Sequence, residues 1–477
     1  MNRCSLQFRR VLSRAFCLAA LVIGQLLHAA DTPKWNLLFI TADDMNADSV
    51  GWMGCKLGTT PNLDAFAATA HRFVNNHVTV PICQPGRSAF MTGRVPHRNG
   101  ALGFQPITPG TPTLTSVLKA AGWFTAVIDK HPHMKPDTEF PWDLKLSGSG
   151  KNPPLFGEHV AQCIKAAADA GRPFFLNANI TDPHRPFANS EQGKAQKANP
   201  KKAAKRDADG QVKAFKPEEV TVPSFLEDIP EVRREVAQYY SSVRRFDASF
   251  GEAMKALRAA GREADTVIIF LSDHGMSFPF SKATVYRNGT WVPVLVRWPG
   301  MDQPQRREEF VSSVDIVPTL LEVLKQPPLA GVDGRSWLPL LRGESQPGRD
   351  FVITHVNTVS SGKSFAQRCV RTRDFSYQFH AWPNGTPHFR VEAMNGLTFG
   401  ALAKAGETDA RIKSRVEQLM VGKPEQFFDL RADPDERVNL LADAKHAAEI
   451  ARLKKLLLAH MEKTVDPQLD NFRKLMK

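Results

Sequence analysis

Four short apolar runs of this chain end in residues able to do chemistry. Asp43 and Asp44 follow the run Trp35–Thr41. Lys130, His131 and His133 follow the run that closes at Asp129. Asp182, His184 and Arg185 follow Pro173–Thr181, and Asp273 and His274 follow Asp265–Ser272. A fifth element, Cys83-Gln84-Pro85-Gly86-Arg87, sets a thiol four residues ahead of a guanidinium. That spacing is about one helical turn, so both face one side of a helix expected to begin near Pro85, where proline is tolerated. Three carboxylates, Asp43, Asp44 and Asp273, suit a hard divalent cation with oxygen ligands, calcium above all. Arg87, Lys130 and Lys282 suit an oxyanion, and a helix N-terminus near Cys83 adds partial positive charge where it would sit. The histidines supply an acid for a leaving group and a base.

Each piece alone has a plainer reading. An Asp pair after a strand is commonly a helix cap with a solvated neighbour. A single arginine is commonly part of a surface ion pair, and a lone histidine is commonly structural. His71, His77, His97 and His159 lack placement at a strand end and are read as structural. The company of Cys83, the three aspartates and the lysines makes the joint reading the stronger one.

These residues require a scaffold that gathers strand ends. Trp35–Thr41, Phe124–Asp129, Pro173–Thr181, Asp265–Ser272 and Val292–Arg297 read as buried strands. Asn62–Phe73, Thr113–Gly122, His159–Gly171 and Ser313–Leu324 read as helices, and Val232–Ala260 as one long amphipathic helix or a broken pair. The alternation predicts an α/β fold, a large mostly parallel sheet sandwiched by helices over residues 31–350. In such folds ligands bind beyond the carboxyl ends of the strands. After residue 350 short strands, at Phe351–His355, Val370–Phe379 and Gln426–Leu430, precede a helix at His446–Lys463. They predict a smaller C-terminal α+β domain over residues 351–477. Lys194–Lys216 is a polar, lysine-rich connection, and long loops of this kind are often functional.

The chain has 477 residues and a net charge of +13. Four arginines, Arg3, Arg9, Arg10 and Arg14, precede the apolar run Ala15–Leu27, which small residues Ala29 and Ala30 follow. This is the pattern of a secretory signal over residues 1–30, so an exported, periplasmic or secreted protein is expected. No internal stretch offers the roughly 20 apolar residues of a membrane span. Cys55, Cys83, Cys163 and Cys369 remain after the signal, without the spacing of a zinc site or a disulfide framework. A basic surface favours a polyanionic partner. The basic residues are not interleaved with aromatics, which argues against a nucleic-acid platform.

Cys83-x-Pro85-x-Arg87 with Thr92-Gly93 resembles the signature of the formylglycine-dependent sulfatases of the alkaline phosphatase superfamily. So do Asp43-Asp44, Thr60-Pro61-Asn62-Leu63-Asp64, Lys130, Asp182-Pro183-His184, Ser272-Asp273-His274-Gly275, and Phe428-Asp429-Leu430 with Asp433-Pro434, Glu436 and Asn439-Leu440. The resemblance runs from Asn36 to about Leu441. It implies that a formylglycine-generating enzyme oxidises Cys83 to an aldehyde, whose hydrate is the nucleophile. It further implies that Asp43, Asp44, Asp273, His274 and residue 83 bind one calcium ion. Arg87, Lys130 and Lys282 would hold the sulfate, His184 would protonate the leaving group together with Lys282, and His133 would deprotonate the second hydroxyl. His131, Arg185 and His355 stand as further substrate contacts, with Lys363 beside them. A homodimer is compatible with the resemblance.

Within the family, Phe140-Pro141-Trp142-Asp143, Thr181–Pro186 and Ser272–Pro279 with Lys282 and Tyr286 are most similar to heparan N-sulfatase (sulfamidase) members. This implies a sulfated saccharide of the N-sulfoglucosamine type as substrate. Two features depart from the pattern. Gly86 stands where many members have serine. The spacing of Lys130 to His133 is that of iduronate 2-sulfatases, which leaves a uronate or other glycan O-sulfatase open and leaves the choice between His131 and His133 open. A phosphonate or phosphate ester hydrolase of the same superfamily, and a glycan binder without turnover, are the remaining alternatives.

Overall fold

In the computed structural model of the protein, residues 34–193, 212–301 and 303–476 are described. The expected signal segment, residues 1–30, and most of the Lys194–Lys216 connection lie outside these residues. Eight strands build the main sheet: β1 (Asn36–Asp43), β2 (His71–His77), β3 (Phe124–Ile128), β4 (Leu144–Leu146), β5 (Phe174–Pro183), β6 (Thr266–Ser272), β7 (Val294–Arg297) and β8 (Arg306–Ser312). Their order is β4-β3-β5-β1-β6-β7-β2-β8. All neighbours are parallel except the pairs that β7 makes with β6 and β2.

The central strands are apolar on both faces because helices cover both. On β1, Leu38 and Ile40 join a core that includes Phe156, Phe246 and Phe270. Phe39, which points the other way, meets Phe90 of the helix Cys83–Thr92 at 5.4 Å between rings. The helices Pro153–Asp169 and Pro230–Ala259 pack on each other and on β5.

Local chemistry moves several boundaries. The expected helix 62–73 stops at Ala67, where Thr69 Oγ1 donates back to the Phe66 carbonyl at 2.9 Å, and the chain re-enters the sheet as β2. The helix expected from His159 begins at Pro153, behind Asn152, whose side chain accepts from the Leu155 amide at 3.3 Å. The helix expected near Pro85 begins at Cys83 itself. β8 reads as charged because it is an edge strand whose burial is confined to its last residues.

A second, antiparallel sheet follows: β9 (Phe351–Thr358), β10 (Ser364–Thr372), β11 (Phe375–His380) and β12 (Glu425–Asp429), in the order β12-β11-β10-β9. Val370–Phe379 is therefore two strands rather than one. Thr372 Oγ1 donates to the Phe375 carbonyl and accepts from its amide, at 3.1 and 3.0 Å, closing a tight turn. The helix Ala447–Thr464 covers this sheet through Leu453, Leu457 and Met461 against Val370, Tyr377 and Phe427.

Candidate functional site

The carboxyl ends of β3, β5, β1 and β6 are neighbours in the sheet, and register brings their trailing residues level. Ala42 pairs with Ser272, and Asp43 with Pro183. Asp43 thus lies between Asp273 on one side and Asp182 to His184 on the other. Immediately after β1 the chain turns through a left-handed residue, Asp44 at φ 73°. Asp129 and Lys130 do the same after β3, at φ 54° and 51°. Non-glycine residues are rare in this region, and such strain is typical of sites where side chains are aimed. The Asp129 carboxylate holds its turn by accepting from the Gly148 and Ser149 amides at 2.7 and 3.2 Å.

Cys83, at the first turn of its helix, stands in the middle. Its Sγ lies 3.2 Å from His274 Nε2 and 3.7 Å from Asp43 Oδ1. Burial pushes the thiol well above its usual range, with Asp43 and Asp273 adding to this against the pull of Lys282. A thiolate is therefore disfavoured here. The helix can sit this close because residue 86 has no side chain: a Cβ there would lie 2.7 Å from the Val80 carbonyl oxygen. Gly275 is needed in the same way, since its Cβ would lie 1.8 Å from the Asn288 carbonyl oxygen.

Arg87, fully buried, spends its guanidinium on positions rather than on solvent. Nε and Nη2 donate to Asp273 Oδ2 at 3.1 and 2.8 Å, and Nη1 donates to Asn179 Oδ1 at 2.6 Å and Thr41 Oγ1 at 3.1 Å. Burial opposes its charge, but Asp273 and Asp43 outweigh burial and hold it protonated. Lys130 pairs with Asp43, and Lys282 Nζ lies 3.0 Å from Asp44 Oδ1.

The carboxylates of Asp43 and Asp44 are fully buried, with Lys130 and Lys282 as their cationic partners. Ligand atoms of Asp43, Asp44, Cys83 and His274 all lie within 4.8 Å of one another. His274 Nδ1 donates to the Gly275 carbonyl at 3.0 Å, which turns the Nε2 lone pair into this group. The donor set is oxygen-rich, buried and anionic, and it fits a hard divalent cation. Asp273 borders the group, its Oδ1 accepting the Asp44 amide at 3.1 Å while Oδ2 is taken by Arg87.

The proton carriers differ in setting. His184 Nδ1 faces the Arg185 carbonyl at 2.6 Å and Nε2 faces Glu392 Oε1 at 3.3 Å. Acceptors thus stand on both sides of the ring, and Nε2 is the nitrogen on the Glu392 side. His133 is held neutral: burial, then Lys130 and Arg87, push it down to about 3. Its charged neighbours include Asp43 and His184, whereas those of His131 are Lys145, Asp129 and Asp137. The structure therefore brings His133 to the site and turns His131 away.

Two further expected contacts are occupied elsewhere. Arg185 is held by Glu235 Oε1 at 2.5 Å and the Ser277 carbonyl at 2.9 Å, and it stacks on Phe187 at 4.3 Å. His355 is fully buried against His460, Nε2 to Nε2 at 3.1 Å, in a group with His97 and Asp466. Arg368 grips that aspartate bidentately, at 2.6 and 2.8 Å. Lys363 is exposed in the β9–β10 hairpin. Conversely, Glu392, Asn179 and Thr41 belong to the site and were not read from sequence. Asn179 sits in an apolar strand, and that polar interruption was the available signal. Glu392 had none, because it arrives from the segment between β11 and β12.

Comparison with known proteins agrees with this geometry. The family model described as Sulfatase matches residues 35–326, and one described as N-sulphoglucosamine sulphohydrolase, C-terminal, matches residues 273–382. The chain is 29% identical to human N-sulphoglucosamine sulphohydrolase over 94% of each chain. It is 25% identical to an ulvan-active sulfatase of Formosa agariphila, covering 93% of this chain and 83% of that one. Among solved structures, a 2-O GAG sulfatase superposes with a TM-score of 0.66 at 18% identity, covering 91% of this chain and 93% of that one. A phosphonate monoester hydrolase from Silicibacter pomeroyi superposes at 0.64 and 19% identity, covering 91% and 96%. With the strand-end carboxylates, the cations and Cys83 converging as described, the chain belongs to the sulfatase family and is a sulfohydrolase of the alkaline phosphatase superfamily.

Proposed function

We propose that this sulfatase removes sulfate from a saccharide, of the N-sulfoglucosamine type, using a formylglycine made from Cys83 and a calcium ion held by Asp43, Asp44, Asp273, His274 and residue 83. The observation that carries the reading is the placement of Cys83 Sγ, 3.2 Å from His274 and 3.7 Å from Asp43, at the focus of the anionic and cationic groups. The substrate type is supported by the match of residues 273–382 to the C-terminal model and by the human relative's name. The calcium ion and the hydrated aldehyde supply charge for the sulfate oxygens and a nucleophile for sulfur.

The chain's own residues do the rest. Lys130 and Lys282 neutralise the anion, and Arg87 fixes Asp273 so that the carboxylates do not spread. His184 donates a proton from Nε2 to the departing nitrogen or oxygen, which would otherwise leave as a strong base. His133, with a buried and unpartnered Nδ1, is the acceptor of the second hydroxyl's proton in this reading. Export is part of this reading, since sulfated polysaccharides lie outside the cell and residues 1–30 have the composition of a signal.

Mass spectrometry of the tryptic peptide spanning residues 73–87, from protein made in a host that forms formylglycine, is the first test. The expected result is an aldehyde at position 83 together with release of sulfate from N-sulfoglucosamine. An intact thiol in active protein would overturn the nucleophile. Turnover only of 2-O-sulfated uronate would overturn the substrate, and preference for phosphonate or phosphate esters would overturn the sulfatase reading.

A further inference from the structure

Glu392 sits where a sulfate-binding site has least use for another negative charge. Its Oε1 is 3.3 Å from His184 Nε2 and its Oε2 is 3.3 Å from Lys282 Nζ. Lys282 already has Asp44 as a counter-ion. Burial works against the Glu392 charge, but Lys282 and His184 hold the carboxyl well below the usual carboxylate range. An ionised group here repels the incoming sulfate, so an interaction made with the bound substrate must offset that cost.

Exposure shows where that interaction would be made. The side chains of Asp43 and Asp44 are 0% exposed and that of Lys282 3%, whereas His184 is 25% and Glu392 33% exposed. His184 and Glu392 therefore form part of the open edge of the site. Any atom that takes a proton from His184 Nε2 lies beside the Glu392 carboxylate. Each of its oxygens faces one cationic partner and has lone pairs to spare. The placement is also built rather than incidental. Just beyond Glu392, the helix Leu397–Ala405 starts with the amides of Leu397 and Thr398 donating to Glu235 at 2.9 and 2.8 Å. The same Glu235 binds Arg185, the neighbour of His184. One glutamate thus ties the segment carrying Glu392 to the turn carrying the acid.

We propose that Glu392 is a specificity-determining residue: it accepts a hydrogen bond from a donor that the saccharide carries at or next to the departing atom, and it rejects saccharides that place a carboxylate or a second sulfate there. The proposal rests on the sulfatase reading. A sulfamate N–H or a neighbouring hydroxyl supplies such a donor, and a uronate carboxylate is the opposing case.

The test compares wild type, Glu392→Gln and Glu392→Ala on N-sulfoglucosamine, a 2-O-sulfated uronate and an aryl sulfate that has no donor beside the ester. Hydrogen bonds to charged groups are worth enough that the ratio of kcat/KM for N-sulfoglucosamine to that for the aryl sulfate should fall roughly tenfold or more in both variants. The change should lie mainly in KM, and Glu392→Gln should raise relative activity on the uronate. Equal losses on sugar and aryl substrates would instead make Glu392 a simple counter-ion of His184 and overturn the proposal while leaving the sulfatase reading intact. A wild-type protein, carrying the aldehyde and calcium, that releases no sulfate from any of the three would overturn both.

Discussion

Arg87 and Asp273 form a fully buried bidentate pair, with Arg87 Nε and Nη2 both donating to one carboxylate oxygen at 3.1 and 2.8 Å. The two residues come from different elements, the helix behind Cys83 and the end of β6, so the pair joins the nucleophile's helix to the sheet. Breaking it leaves a carboxylate buried without its partner. Arg87→Ala should destabilise the protein by about 3–5 kcal/mol and abolish turnover. Arg87→Lys should also fail to restore the paired geometry, because an ammonium cannot match the planar fork. Urea unfolding monitored by circular dichroism measures the first effect, and sulfate release the second. A loss of stability no larger than that of a surface substitution would contradict the assignment.

The fully buried carboxylates of Asp43 and Asp44, gathered with Cys83 and His274, point to a cation that stabilises the fold as well as the reaction. Chelation of purified protein should lower its melting temperature and remove activity, and added calcium should restore both. At a hundredfold excess over its dissociation constant, a bound ion contributes about 2.7 kcal/mol. Calorimetry with and without chelator reads this directly. Asp43→Asn and Asp273→Ala should lose most of the calcium-dependent shift and all turnover, so a full shift in either variant would exclude these ligands.

Gly86 replaces the serine common in the family, and a Cβ at this position would meet the Val80 carbonyl oxygen at 2.7 Å. Gly86→Ala, and Gly86→Ser more so, should push the Cys83 helix away from that backbone. Overpacking of this kind costs typically about 1–3 kcal/mol. Denaturation midpoints and sulfate release measured on the same preparations should fall together. Unchanged stability in both variants would show that the loop before Cys83 yields freely.

His380 is buried in the second sheet, away from the strand ends that carry the site, and burial pushes it down from 6.5 to about 3. The unfolded chain takes up a proton below pH 6.5 that the folded chain refuses until about pH 3. Its stabilising effect is therefore complete above the unfolded value and declines as pH falls through that window, by about 1.4 kcal/mol per pH unit. His460 behaves in the same way, also pushed down to about 3 by burial. Replacing His380 with Gln should flatten the decline in unfolding free energy between pH 6.5 and 4.5 by roughly that slope. An unchanged slope would mean that other groups set the acid sensitivity.

The parts of the fold that were legible in sequence are those where local chemistry and burial agree. β1, β5 and β6 are continuous apolar runs because helices cover both faces, and the long helix Pro230–Ala259 keeps one stripe of period 3.6. β8 carries no apolar signature because an edge strand can be charged, and a two-residue turn hardly interrupts the pattern that β10 and β11 share. Arg185 and His355 were candidates by chemistry and position along the chain, but their side chains are spent on Glu235 and His460.

The sequence by itself determined which groups are available and on which strand ends they stand: Asp43, Asp44, Lys130, His184, Asp273 and Cys83 at its helix. Those assignments follow from short-range periodicity, which the chain carries residue by residue. Only the tertiary structure decided which of them meet. The strand order β3-β5-β1-β6 and its register set Asp43 between Asp273 and His184, turned His133 in and His131 out, and delivered Glu392 from a distant segment. Such choices depend on long-range pairing and on burial of charge, where the partner of a group is fixed by the whole packed chain and not by its neighbours in sequence.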